Sequence, residues 1–222
     1  MPASSIILSA IYGFGTVYGW KFYKRFGTNG KLITWFFTFT FLNHWVRYYS
    51  VLTIQNNLWT SHYSIAFVTL LLSFYYWRIF PKGSLYQKYI LFVGSISWLL
   101  IVCVSIFYLH WRDDNYIGFI IQRIYFIPLF LLYYRYLLDY PIEIELIKIP
   151  HFWVNTGLLV FMSMSFFQFA YGNYFNIMGK IPWVFNTYVL VSSNIVFYTL
   201  MIIGMAVENR NIKNNLQNLE HG

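Results

Sequence analysis

The feature that most constrains this chain is a recurrence of apolar blocks, each closed by a short polar break. A helix rising ~1.5 Å per residue needs about 20 residues to cross ~30 Å of hydrocarbon, and the blocks have that length. Seven can be read, at residues 4–23, 32–54, 63–80, 85–111, 116–138, 151–174 and 183–207. Hydrophobic residues make up 59% of the 222 and aromatic residues 24%, with a mean hydropathy of +0.52, which is more apolar surface than one water-soluble core can bury. The blocks show no strand alternation, which argues against a barrel. The expected fold is all-α: a polytopic membrane protein whose seven transmembrane helices form one domain over residues 1–207, followed by a short polar tail at 208–222.

The breaks are chemically distinct. Pro81-Lys82-Gly83-Ser84 stops the third block, and Arg112-Asp113-Asp114-Asn115 stops the fourth. Pro128 lies inside the fifth, where a membrane helix tolerates a kink if its neighbours satisfy the freed carbonyl. The first block has no basic region ahead of it, and its Gly13, Gly15 and Gly19 suit close helix packing. It reads as a retained span, not as a cleaved signal.

Short loops rich in Lys and Arg stay on the cytoplasmic side of a membrane. Lys21, Lys24, Arg25 and Lys31 lie between the first two blocks, and Arg78, Lys82 and Lys88 between the third and fourth. Arg135, Lys148, Arg210 and Lys213 fall on that same side, against Arg112 and Lys180 on the other. The expected N-terminus is outside and the C-terminus cytoplasmic. Tyr and Trp beside bases in YGWKFYKRF, FYYWRIF and LYYRYLL suit the inner interfacial belt. Basic loops over an anionic leaflet account for the net charge of +8 without a nucleic-acid partner. The single cysteine, Cys103, forms no intrachain disulfide and is expected to be a packed thiol.

Against this background FLNHWVRYY, residues 41–49, places a histidine and an arginine within an apolar block. Entering from the cytoplasm, the second helix carries Asn43, His44 and Arg47 past the bilayer centre, and spacings of three and four residues align them in one stripe. At similar depth the fifth helix offers Gln122 and Arg123, the sixth Gln168 and Asn173, and the seventh Asn186 and Asn194. These nine residues are the candidate ligand site. A charge facing lipid costs on the order of 2.5–3.5 kcal/mol, so Arg47 and Arg123 are expected to face the bundle interior or to snorkel outward. Snorkelling or backbone hydrogen bonding would make them helix pins alone. Every Asp and Glu falls in a loop, a tail or a helix end, so two inward guanidinium groups would await a carboxylate, a phosphate or a lipid head group.

The same pattern weighs against other functions. Cation-coupled transport usually needs a membrane-embedded carboxylate. A retinal protein needs a Schiff-base lysine, and WVFNTYVLVSSNIVFYTLMIIGMAV contains none. His44, His62, His110 and His151 lack HExxH or CxxC spacing, so no metal site or cofactor is expected. Ser163, Ser165, Ser192 and Ser193 lack the context of a serine nucleophile and read as helix-to-helix hydrogen bonds. The expectation is a non-enzyme, with a catalyst built from dispersed polar residues as the alternative.

The run IPHFWVNTGLLVFMSMSFFQFAYGNYF, with Pro150 ahead of Phe152-Trp153 and a Gly-Leu-Leu segment, resembles a group of small seven-helix bacterial membrane proteins, chiefly over residues 150–207. In that group such helices stand alone or precede a histidine-kinase module as its membrane sensor. The resemblance implies a sensor or receptor of the bacterial inner membrane that signals through a partner chain, since no kinase or phosphoacceptor region follows the last block. An outward-facing polar cavity would take an anionic small molecule or lipid head group. A small-solute or lipid transporter, or a structural subunit of a larger membrane complex, are the alternatives. Transport would need polar groups continuing inward, where helices two, three and five turn mostly aliphatic and aromatic.

Overall fold

The structure is a computed structural model and describes residues 3–108, 110, 115–140, 145–178 and 180–220, with side chains described over 4–108, 110, 115–140, 145–169 and 188–214. Among the described residues the fold is all-α: α1 (Ala3–Phe22), α2 (Thr28–Ile54), α3 (Trp59–Ile79), α4 (Leu85–Tyr108), α5 (Tyr116–Asp139), α6 (Pro150–Met178) and α7 (Lys180–Glu220). A short 3-10 turn, Leu146–Lys148, leads into α6. Among the described residues, four stretches are long and apolar enough to cross a membrane: Leu85–Tyr108, Tyr116–Asp139, Pro150–Phe169 and Tyr188–Asn214.

Local chemistry sets the helix ends. Gly83 turns the chain at φ 75°, a left-handed conformation that suits glycine. Ser84 then caps α4 by accepting from the Gln87 N–H at 3.3 Å, and Gln87 Oε1 accepts from the Gly83 N–H at 2.8 Å. The same amide donates to the Trp77 carbonyl at 2.8 Å, tying the start of α4 to the end of α3. Asn115 opens α5 by accepting from the Gly118 N–H at 3.0 Å, while its Nδ2 donates to Ser105 Oγ at 2.6 Å.

Helix α6 packs along α7, and α5 along α6; α3 meets α2, α4 and α5. Helix α1 lies against α2 and α7. The expected close approach of α1 is present: a Cβ on Gly15 would come within 2.3 Å of the Phe37 ring, and one on Gly19 within 2.7 Å of Thr34. Helix α4 departs from regularity in two π-helical turns, Ile90–Gly94 and Val104–Tyr108. At the first, the absence of a Cβ on Gly94 leaves room for the Tyr125 hydroxyl, which shares a hydrogen bond with Ser73 Oγ at 3.1 Å. Tyr89 donates to the Tyr125 carbonyl at 3.3 Å, in the turn before Pro128, and so ties α4 to α5 there.

The core is aromatic. Phe37, Tyr75, Tyr76, Phe126, Phe130 and Tyr133 are buried at its centre. Large apolar side chains point outward in turn: Phe92, Leu99 and Phe107 on α4, Leu131 on α5 and Phe167 on α6 are exposed, as a lipid solvent permits. Cys103 belongs to that outer surface, not to the packed interior expected of it, because α4 turns its buried face through Ser97 and Ile101. The polar stretch beginning at residue 208 continues α7 as helix through Glu220.

Candidate ligand cavity

A cavity of about 380 Å³ lies in the half of the bundle nearer the α2–α3 connection. Helix α2 lines it with Phe36, Phe39, Thr40, Asn43, His44 and Arg47, and α3 with Ser64, Ile65, Val68 and Leu72. Phe119, Gln122 and Arg123 come from α5; Leu158, Phe161, Met162, Gln168 and Phe169 from α6; Leu190, Asn194, Phe197 and Tyr198 from α7. Tyr12 of α1 and Leu58 complete the wall, and α4 contributes nothing. Asn43, His44, Arg47, Gln122, Arg123, Gln168 and Asn194, remote in sequence, therefore share one space. The expected site residues Asn173 and Asn186 lie outside the described side chains.

Arg123 is 2% exposed. Its Nε donates to Ser165 Oγ at 3.1 Å, and its Nη1 donates to Gln122 Oε1 and to the Phe119 carbonyl at 3.4 Å. Gln122 is oriented for this by its own Nε2, which donates to Thr69 Oγ1 at 2.9 Å. Three rings face the guanidinium: Phe119 at 4.7 Å, Phe169 at 5.2 Å and Phe161 at 5.8 Å from their centroids. Ring faces and neutral dipoles thus replace water around a charge that the sequence places deep in an apolar helix.

Arg47 is held differently. It is half-buried, and its Nε is shielded from solvent without a hydrogen-bond partner. Among the described residues the ion pairs are Arg135 with Asp139 at 3.6 Å and Lys148 with Glu145 at 3.3 Å, both at the surface. Neither includes Arg47 or Arg123. Asp113 and Asp114, in the break after the fourth block, lie outside the described residues.

The other polar groups are partly engaged. Tyr63 donates to Asn43 Oδ1 at 2.7 Å, and Asn194 Nδ2 bonds the Leu190 carbonyl at 2.9 Å. His44 Nε2 lies 3.3 Å from Ser5 Oγ, and its ring meets Tyr12 edge-on at 5.5 Å between centroids. Tyr12 and Tyr198 stack edge to face at 4.5 Å across the α1–α7 contact.

Sequence reasoning missed Ser165 as the partner of Arg123, the three rings around it and the Tyr12–Tyr198 pair. In a chain this aromatic, a cavity ring and an interfacial ring carry the same signal. It also missed a polar cluster at the opposite end of the bundle. There His151 Nδ1 pairs with the Tyr75 hydroxyl at 2.9 Å and His151 Nε2 with Asn29 Nδ2 at 3.3 Å, and the Gly27 N–H donates to Glu208 Oε1 at 3.0 Å. That half is therefore not only aliphatic and aromatic. Glu208, assigned to a tail, stands within α7 and packs on α2.

Comparison with protein-family models, curated proteins and solved structures finds no match to this chain.

Proposed function

We propose that this chain is a seven-span receptor or sensor of a bacterial inner membrane, whose cavity faces outward and holds an anionic ligand. The observation that carries the reading is the pair of arginines sharing the cavity, one with a shielded, unpartnered Nε and the other buried among rings and neutral dipoles. A guanidinium's planar fork suits carboxylate or phosphate, and a water-shielded site strengthens the hydrogen bonds it makes. Lys21, Lys24, Arg25, Lys82 and Lys148 cluster at the end away from the cavity, which supports a cytoplasmic placement of that end by the positive-inside rule. Those basic loops and the helical extension to Glu220 would face the partner chain that carries the signal onward.

A transporter is the second reading, favoured by one observation: the Asn29–His151–Tyr75 cluster gives the opposite half polar groups of its own. Between the two lies the buried layer of Phe36, Leu72 and Tyr76. A receptor keeps that layer shut, and a transporter opens it.

Native mass spectrometry of the parent, Arg47→Lys and Arg47→Leu tests the anion site. Both substitutions are expected to weaken retention of a bound anion by about tenfold or more, since lysine cannot reproduce the fork. Unchanged retention in Arg47→Leu, with lysine tolerated, would leave Arg47 a helix pin. Single cysteines at Asn43 and Asn29, in a Cys103→Ser background, separate the two readings. A receptor exposes Asn43 to impermeant thiol reagents from outside only, whereas labelling of Asn29 from that same side would mean transport.

A further inference from the structure

We infer that the cavity takes a single-chain amphipathic anion, of which a fatty acid is the simplest, with its head at Arg47 and its hydrocarbon running toward Phe36. This rests on the anion reading of the same cavity and adds the chemistry of the rest of the ligand. The first observation is a gradient of polarity along α2. Arg47, His44 and Asn43 are half-buried at the end of the cavity nearer the α2–α3 connection, while Phe36 is buried at the other. A rise of ~1.5 Å per residue separates Arg47 from Phe36 by about 16 Å, so the space is long. Its inner end is mostly apolar: Phe36, Leu72, Leu158, Met162 and Phe197 are all buried there, with the Thr40 and Tyr198 hydroxyls beside them.

The second observation is that the two arginines are not equivalent. Nε and Nη1 of Arg123 already donate to Ser165, Gln122 and a backbone carbonyl, and three rings cover the guanidinium. Arg47 keeps a shielded Nε without a partner. The less committed guanidinium is therefore the one at the mouth. Beneath it lies hydrocarbon surface, with Arg123 presenting ring faces more than open donors. A small inorganic anion would satisfy Arg47 and leave the apolar floor wetted. At about 380 Å³ the space is at the low end for a drug-sized ligand, which suits one chain better than two.

The test uses the protein in nanodiscs of neutral phosphatidylcholine, with empty nanodiscs subtracted, and calorimetric titration of dodecanoate, hexanoate, dodecanol and inorganic phosphate. Each buried methylene tightens binding by about fourfold, so dodecanoate is expected to bind at least a hundredfold more tightly than hexanoate. The charge-assisted bonds at Arg47 should place dodecanol at least tenfold below dodecanoate. Arg47→Leu should reduce dodecanoate to the level of dodecanol. Leu158→Trp, which fills the floor, should remove the chain-length dependence while sparing the preference for charge; if that variant does not fold, the chain-length series in the parent still decides. Hexanoate or phosphate binding as tightly as dodecanoate, and lost in Arg47→Leu, would overturn the single-chain inference and keep the anion site. Phosphatidylglycerol retained by the parent, lost in Arg47→Leu and undisplaced by dodecanoate, would likewise replace the single chain with a lipid head group. Dodecanoate binding that is unchanged in Arg47→Leu would remove the anion reading itself.

Discussion

The backbone N–H of Gly27, which caps the start of α2, donates at 3.0 Å to Glu208 Oε1 within α7. The second carboxylate oxygen lies over Gly30, where a Cβ would stand 2.6 Å from it. A carboxylate at a helix N-terminus meets both its orphan N–H groups and the positive end of its dipole. The helix that carries Arg47 is thereby fixed at its far end to the helix that leaves the bundle.

Glu208→Ala is expected to cost about 1–2 kcal/mol, the usual worth of a charged cap in a partly buried setting. At about 2–4 °C per kcal/mol for a chain of this size, the thermal midpoint in detergent should fall by a few degrees. Glu208→Gln keeps an acceptor and should lose less. Gly30→Ala should resemble Glu208→Ala, because it displaces the carboxylate, and adding it to Glu208→Ala should cost little more. Full additivity of the two would show that they act independently.

Gly15 tests the seam between α1 and α2. With the Phe37 ring 2.3 Å from an added Cβ, Gly15→Ala is expected to destabilise by about 1–3 kcal/mol through overpacking. Phe37→Leu in the same chain should recover part of that loss. Thermal unfolding of the two single variants and the double variant checks this, and a Gly15→Ala chain as stable as the parent would show that the seam yields.

These relationships divide by how far sequence reaches. The helices were legible because a bilayer-length apolar block admits few alternatives, and helical spacing alone sets Asn43, His44 and Arg47 on one stripe. Gln122 and Arg123 were legible because charge and amide within such a block must turn inward. What surrounds them was not. Ser165 is one of several serines in α6 and α7, and only the packing of α5 on α6 brings it to Arg123. Phe119, Phe161 and Phe169 look like any ring of the lipid-facing surface until the helix rotations are fixed. Asn29 lies in the break before the second block, Tyr75 in the third and His151 at the start of the sixth, with no spacing to relate them. Glu208 followed the last apolar block and read as tail, because hydropathy falls there although the helix does not stop. Cys103 shows the same limit: a sequence places it inside a span, whereas the helix rotation decides whether it meets protein or lipid.

Tyr76 carries a prediction about the buried layer. Its hydroxyl donates to Asn155 Oδ1 at 2.6 Å, and Asn155 Nδ2 donates to the Phe130 carbonyl at 3.3 Å, all within the core. Tyr76→Phe leaves that acceptor without its donor and is expected to cost about 1–3 kcal/mol. Tyr76→Phe with Asn155→Leu removes both partners and should cost less than the sum of the two single variants. A double-mutant cycle on thermal midpoints checks this; strict additivity would mean that the bond contributes nothing measurable.

Arg123 gives the sharpest contrast between a pin and a site. As a pin, its hydrogen bond to Ser165 would hold α5 to α6, and any apolar replacement would lower stability by several kcal/mol. A buried charge compensated by neutral groups is a poor source of stability, however, and replacing it with a well-packed apolar residue is often neutral or favourable. Arg123→Met fits among Phe119, Phe161 and Phe169, where a thioether packs well against rings. Its ligand-free thermal midpoint is therefore expected to stay within a few degrees of the parent or to rise. Ser165→Ala, which removes one acceptor and leaves the charge in place, should destabilise more than Arg123→Met does. Anion retention should fall in Arg123→Met, because the cavity's long-range positive potential is halved, though less than in Arg47→Leu, where the direct fork is lost. Thermal scans and native mass spectrometry of the three variants check both orders. A large loss of stability in Arg123→Met with anion retention unchanged would assign the residue to the scaffold alone.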